Sequence, residues 1–478
     1  MNKFKKGLEF AKELDKKDPL VEFRDRFYTN DEEIFMDGNS LGLCSVDAEK
    51  YLLDMLRVWK EETINIWGIE DGKYLNFSEH LAKKMAFLIN ADPEEIGVVG
   101  STTANIHQAI ATFYKPTKER YKILVDDLNF PTDRYAVDSQ IKLKGLKVED
   151  ALKVVESKDG VLIDEDAVIE AMTEDVALVL LPSVLYRSAQ LLDMKRITDV
   201  AKERGIYIGW DLCHSIGAVP HDFKDIDPDF AVWCTYKYLA AGPGANAGLY
   251  INKKHFNKDA GLTGWFGNVD ETQFQLNHQF EQDRTAKGWQ MGTPNLLSMA
   301  PIEGSLDIYK EAGMDRIRKK SLHITEYMMF LIEEELYKYG FGIGNPREDE
   351  KRGGHVCLTH DDAYRINNAM KDRGIIPDFR EPNVIRLAPV ALYISYEEVF
   401  KMVEIIKDIM EKKEYENFYN NVRRKYIPSC KYGYTNCIYD KEYIKAHYPE
   451  WYKELEAENG ALSCDNCEDG SEYDDEDK

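Results

Sequence analysis

At 478 residues the chain is long enough for two domains with substantial cores, and its 44% hydrophobic and 31% charged residues are the balance of a soluble globular fold. The formal net charge of −24 argues against non-specific nucleic-acid binding and against anionic membrane surfaces. No apolar run is long enough to span a bilayer, and the charged opening MNKFKKGLEFAKELDKKDPL lacks the apolar centre of a secretory signal, so the expectation is a cytoplasmic protein with neither a membrane nor a nucleic-acid partner.

From about residue 95 to 255, short β-rich runs alternate with helical stretches. IGVVG precedes STTANIHQAIATFY, and KILVDDLNF precedes PTDRYAVDSQIKL. VALVLLP precedes LDMKRITDVAKERG, then come IYIGWD and FAVWCTYK. Nearly continuous apolar strands, each followed by a helix, predict an α/β fold with a mostly parallel sheet between helices. Ligands of such sheets bind beyond the carboxyl ends of the strands. After about residue 300 the runs GGHVCLTH, DAYRINNAMKDRG, IIPDF, NVIRLAP and SYEEVFKMVEIIKDIMEKK read as strand, helix, strand, strand, helix, a smaller α/β domain. Val399, Met402, Val403, Ile405, Ile406 and Ile409 give its last helix one buried face. The expected organisation is an N-terminal arm (1–45), a large domain (46–300), a small C-terminal domain (301–425) and a cysteine-containing acidic tail (426–478).

The strand ends carry the chemistry. IYIGWD ends in Asp211, with His214 three residues on, and FAVWCTYK ends in Lys237 ahead of a GPG turn. A lysine at the end of an apolar strand is most simply a solvated surface charge, and a strand-end aspartate most simply a cap. Together they are what pyridoxal 5′-phosphate (PLP) requires. The lysine bonds the aldehyde, and the carboxylate keeps the ring nitrogen protonated so that the ring acts as an electron sink. Thr102 and Thr103 stand where a helix begins, a place whose free N–H groups and dipole suit a phosphate, although an ordinary N-cap has the same composition. Phe130 follows a strand, where a ring can lie against the cofactor. In this order the signals specify a fold type I, aminotransferase-like PLP enzyme acting on a small amino-acid substrate.

Six ordered stretches then resemble the kynureninase family: FMDGNSLGL, NFPTDRYA, WDLCHSIGAV, WCTYKYLAAGPG, GWFG and IRLAPVALY, over about residues 20 to 425. The resemblance implies hydrolysis of L-kynurenine to anthranilate and L-alanine, in tryptophan degradation or NAD biosynthesis, with 3-hydroxykynurenine as a further substrate. It implies Lys237 as the lysine bonded to the cofactor, Asp211 as the partner of the ring nitrogen, Phe130 stacked on the ring, and Asp133 in the same loop. Thr102, Thr103, Tyr236 and Trp265 would surround the phosphate, with His214 beside the cofactor. Thr293 would complete the second subunit's site, implying a homodimer. Arg386 would hold the substrate's carboxylate, Ser40 would help place its carbonyl, and Tyr236 would act as an acid. Two positions depart from relatives that prefer the 3-hydroxylated substrate: Ile69 stands where they carry histidine, and Thr293 where they carry asparagine. An isoleucine cannot read a hydroxyl, so plain kynurenine is the expected preference. Near Pro182 and Ser183 the match is too loose to carry any role over.

Of the eight cysteines, Cys44, Cys213, Cys234 and Cys357 read as reduced core thiols. Cys430, Cys437, Cys464 and Cys467 form two pairs in the tail. They are candidates for a structural zinc site, but the first pair is spaced too widely for the usual pattern, and unliganded thiols in a disordered extension are the preferred reading. The competing enzyme readings are a cysteine desulfurase, for which Cys357 is the small-domain candidate, and an aminotransferase. A non-catalytic scaffold fits poorly with the retained Lys237, Asp211 and Arg386.

Overall fold

The apolar run VALVLLP becomes an interior strand of the larger sheet, buried at every position. The computed structural model describes residues 3–418, so the four tail cysteines lie outside the described residues. The first strand, β1 (Ile34–Phe35), belongs to the N-terminal segment. Next come β2 (Ile96–Val99), β3 (Lys122–Asp126), β4 (Leu152–Val155), β5 (Val176–Pro182), β6 (Tyr207–Asp211), β7 (Phe230–Trp233) and β8 (Ala247–Ile251). These seven form one sheet in the order β2-β8-β7-β6-β5-β3-β4. Only β8 runs against the others, so the sheet is mostly parallel, as its continuous apolar strands require. A Cβ at Gly248 of β8 would overlap the Trp233 indole of β7, so glycine is what lets that buried ring lie flat across the strand pair.

Helices Thr102–Phe113, Pro131–Leu143 and Met194–Glu203 follow β2, β3 and β5, where the sequence pattern predicts them. The pattern fails in two places. FAVWCTYK is a strand only as far as Trp233; Lys237 stands in the turn beyond, where the Thr235 hydroxyl donates to Asn246 O at 2.8 Å and the Tyr236 carbonyl accepts from Gly42 N–H at 2.8 Å. IIPDF splits into β11 (Ile375–Ile376) and a separate strand because Pro377 offers no N–H to a ladder.

The smaller sheet combines β9 (Gly342–Ile343), β10 (Val356–Thr359), β12 (Asp378–Arg380) and β13 (Val384–Leu387) in the antiparallel order β12-β13-β10-β9. Helix Tyr396–Lys412 buries Val399, Met402, Val403, Ile406 and Ile409, whereas Ile405 is only partly covered. The N-terminal segment is tied to this half of the molecule. β1 pairs in parallel with β11, and the Asp15 carboxylate accepts from Tyr396 N and Glu397 N at 2.7 and 2.9 Å, capping that helix. Cys213, Cys234 and Cys357 are buried, but Cys44 is exposed and is not a core thiol: it stands just ahead of Ser45, the N-cap of the helix Val46–Glu62. No helix among the described residues is long and apolar enough to cross a membrane.

Candidate active site

Adjacent parallel strands bring Asp211, the last residue of β6, beside the turn that follows β7. Asp211 is buried and its Oδ1 accepts from Cys213 N at 2.8 Å. Asp133, in the first turn of helix Pro131–Leu143, is buried beside it; its Oδ2 accepts from Asn129 Nδ2 at 2.7 Å, and its Oδ1 has no partner. Burial, and next the Asp211 charge, raise the Asp133 carboxyl well above the ordinary range. Burial also raises Asp211, opposed by its bond from Cys213 and by the Lys237 charge. Two carboxyls this close share a proton unless a cation joins them.

The Lys237 amine supplies part of that charge. Its Nζ lies 2.9 Å from His214 Nε2 and 5.8 Å from the centroid of the Phe130 ring. Burial first, then the charge of Lys237, holds His214 well below its usual pKa, so the ring is neutral; its Nδ1 is buried without a partner. Tyr236 adjoins the lysine, and burial above all pushes its hydroxyl up, so it keeps its proton at neutral pH.

At the neighbouring helix start, Ser101 is the N-cap, its side chain accepting from Ala104 N at 3.3 Å. Thr102 follows with its hydroxyl 3.7 Å from Cys213 Sγ, and the Thr103 hydroxyl is 2.8 Å from that of Thr132. The predicted helix start is therefore real, but Ser101 is the cap and the two threonines sit in the first turn.

Arg386 enters from the small sheet. It is buried on β13 directly opposite Asp378 of β12, and its Nε donates to Asp378 Oδ2 at 2.5 Å. Nη1 donates to the Tyr186 carbonyl at 3.0 Å, and Nη2 to Ser40 Oγ at 2.8 Å. The Tyr186 ring bridges the two halves: it is edge-on to Phe130 at 5.5 Å, 6.2 Å from His214, and under the Arg386 guanidinium at 5.9 Å. One site thus gathers Lys237, Tyr236, Asp211, Asp133, His214, Phe130, Thr102 and Thr103, with Arg386 and Ser40 facing them across Tyr186.

Trp265 and Thr293 stand apart from this group. Trp265 is 45% exposed and its ring meets Phe266 and Phe274. Thr293 lines a surface hollow with Trp59, Ile64, Trp67 and Leu297. Ile69 packs on the core at the turn just after Trp67.

Several neighbours escaped sequence reasoning. Tyr186, Asp378 and His355 carry no motif of their own. The strand pairing that sets Asp378 opposite Arg386 was the available signal, hidden by reading IIPDF as one strand. His355 is buried with Nδ1 3.4 Å from the Tyr238 hydroxyl, and burial, then the Arg386 charge, pushes it down to about 3. Ser183, left unassigned, caps the edge of the sheet: its N–H donates to Asp211 O at 2.8 Å and its hydroxyl is 2.7 Å from that of Ser215.

A mostly parallel seven-stranded sheet with lysine and aspartate at its carboxyl edge, closed by a small sheet bearing an arginine, defines a fold type I PLP-dependent enzyme. The apo cysteine desulfurase of Thermococcus onnurineus NA1 shares the fold, with a TM-score of 0.70 at 17% identity over 82% of this chain and 98% of that one. The kynureninase C-terminal domain model matches residues 317–406. The kynureninase of Bacillus thuringiensis subsp. konkukian is 56% identical over 417 residues, covering 87% of this chain and 97% of its own length. That of Geobacillus thermodenitrificans is 52% identical over 413 residues, covering 86% and 96%. The chain belongs to the kynureninase family.

Proposed function

We infer that this enzyme is a PLP-dependent hydrolase that splits L-kynurenine into anthranilate and L-alanine. The observation that carries this reading is the opposition of Lys237 and Arg386 across Tyr186, in a chain of this family. The residues fit the cofactor. Asp133 and Asp211 are two buried, mutually repelling carboxyls that a protonated ring nitrogen would join, and the orphaned Asp133 Oδ1 leaves an acceptor for it. Phe130 offers a face beside the lysine, and the first turn of helix Thr102–Phe113 offers N–H donors and two hydroxyls to a phosphate. When bound, PLP supplies a sink for negative charge developing on the substrate's carbons.

The chain's own groups do the rest. Arg386, pre-oriented by Asp378 and the Tyr186 carbonyl, presents a planar fork to the substrate's α-carboxylate. Ser40, held by Arg386, positions the substrate's carbonyl. Lys237 both holds the cofactor and moves the proton at the substrate's Cα. Tyr236 keeps its proton until the three-carbon fragment needs it.

The reading extends to a homodimer whose second copy completes each site. Support comes from Trp265, whose ring meets the exposed Phe274, and from Thr293, which lines a hollow with the exposed Trp59, Ile64 and Leu297. Hydrophobic exposure on this scale marks an interface more often than free surface. Ile69 favours plain kynurenine over its hydroxylated form. A desulfurase reading fares worse, because Cys357 is buried inside β10 and burial pushes its thiol up to about 11, the opposite of a mobile nucleophile. Incubation of the PLP-loaded enzyme with L-kynurenine should release fluorescent anthranilate and equimolar alanine; neither product appearing would sink the assignment.

A further inference from the structure

Opposite residues of an antiparallel pair point to the same face of a sheet, so the pairings Cys357↔Arg386 and Thr359↔Val384 put all four side chains on one face. Arg386 uses that face for the cleft described above. A short step along it, past Tyr186, the same face closes a separate cavity of about 250 Å³. Its lining includes Leu128, Val161, Arg187, Cys357, Thr359 and Asn383. None of the residues gathered around Lys237 belongs to it.

Arg187 is the anomaly in this cavity. Its Nε is buried without a hydrogen-bond partner, and no carboxylate pairs with its guanidinium among the described residues. Arg187 is half-buried, whereas the fully buried Arg352 and Arg386 each bond an aspartate. Leaving a buried N–H without an acceptor is costly, and the guanidinium's fork of N–H donors matches a carboxylate in geometry and charge. The lining also includes the apolar Leu128 and Val161 and the polar Thr359 and Asn383. A bare, strongly hydrated anion would leave the apolar walls unused. Drug-sized ligands occupy about 300 Å³ or more, so this volume suits a molecule of one ring.

We propose that the cavity is a second ligand site, separate from the catalytic cleft, that takes a small monocarboxylate with an aromatic or compact apolar body. Arg187 binds the carboxylate, Thr359 and Asn383 add hydrogen bonds, and Leu128 and Val161 cover the apolar part. The aromatic acid released by the reaction inferred above is one member of this class. That link rests on the functional reading, whereas the site itself does not.

The test is calorimetric titration of the full-length, PLP-loaded enzyme with benzoate, with sulfate as the bare anion. Benzoate should bind at one equivalent per chain or more. Arg187→Gln should weaken one equivalent at least tenfold, Val161→Trp should abolish it by filling the cavity, and Arg386→Gln should leave it in place. Sulfate should bind far more weakly than benzoate. Circular dichroism of both cavity variants should match the parent. The proposal is overturned if the parent does not bind benzoate, if Arg386→Gln removes all binding while Arg187→Gln and Val161→Trp remove none, or if sulfate binds as tightly as benzoate. Because the readout is heat of binding, failure here leaves anthranilate release untouched, and failure of that assay leaves this result standing.

Discussion

Lys237 Nζ stands 2.9 Å from Nε2 of a histidine, His214, that burial and neighbouring cations keep neutral. A neutral ring can accept from the lysine's ammonium or donate to its free amine, so it steadies the lysine in either state without adding a competing charge. Lys237→Ala should therefore remove both functions given to the lysine. Loss of the positioned base alone is worth on the order of 10²–10⁴-fold in turnover. The purified variant should also lack visible absorbance that borohydride bleaches, a signal the parent should show.

Tyr236 tests whether the protonated phenol matters. Its hydroxyl is pushed up chiefly by burial, which suits an acid that must not lose its proton early. Tyr236→Phe should lower kcat by about 10²-fold or more while leaving KM within a few-fold, the pattern of a group used only in the transition state. Unchanged turnover would take the tyrosine out of the mechanism.

The large sheet was legible because β5, β6 and β7 are buried on both faces and so are apolar without interruption. The alternation of strand and helix then located the carboxyl edge, and Asp211 and Lys237 with it. What stayed hidden depends on pairing across the chain. Asp378 and Tyr186 matter only because Arg386 reaches them, over 8 residues in one case and 200 in the other. β8 was missed because AGLYI follows a glycine-rich turn and runs antiparallel. The burial of Asp133 against Asp211 is likewise a product of packing, since an aspartate in a helix's first turn is ordinarily solvated.

Arg386 is both the proposed holder of the substrate's carboxylate and the buried end of an ion pair with Asp378. Arg386→Lys keeps the charge but loses the fork that joins Asp378, Tyr186 O and Ser40. kcat/KM should fall on the order of 10²-fold, mostly through KM, because one charge-assisted bidentate contact is worth about 1.5–3 kcal/mol. Arg386→Ala should in addition destabilise the fold, by about 1–3 kcal/mol, because Asp378 loses one of its two cations and keeps only Arg380, whose Nε donates to its Oδ2 at 2.8 Å. Steady-state kinetics and urea denaturation separate the two effects.

Asp126, at the end of β3, gives a stability signature independent of catalysis. Burial lifts its carboxyl from the ordinary 3.8 to about 7, against the pull of the Leu128 N–H, and its Oδ2 has no partner. Between these two values the unfolded chain has released the proton while the folded one keeps it. The native state then binds more protons, so this group's contribution is whole below about pH 4 and is lost as pH rises through about 7. Asp126→Asn cannot ionise and should flatten that decline, by an amount on the order of a few kcal/mol. Urea midpoints of parent and variant at pH 5 and pH 8 provide the comparison: the variant should gain relative stability at the higher pH.

The proposed shared site makes a prediction that single-chain variants cannot. If each site takes Lys237 from one copy and Trp265 from the other, Lys237→Ala and Trp265→Ala homodimers are both crippled. A mixed dimer then has one site that lost both residues and one that kept both. Unfolding and refolding an equimolar mixture should therefore recover about a quarter of the parental activity, since random pairing in a two-fold dimer makes half the molecules mixed and half their sites intact. Mixing without refolding should recover nothing until subunits exchange. If refolding yields no more activity than the sum of the two variants, Trp265 serves its own chain's site or none, and the second copy contributes no indole.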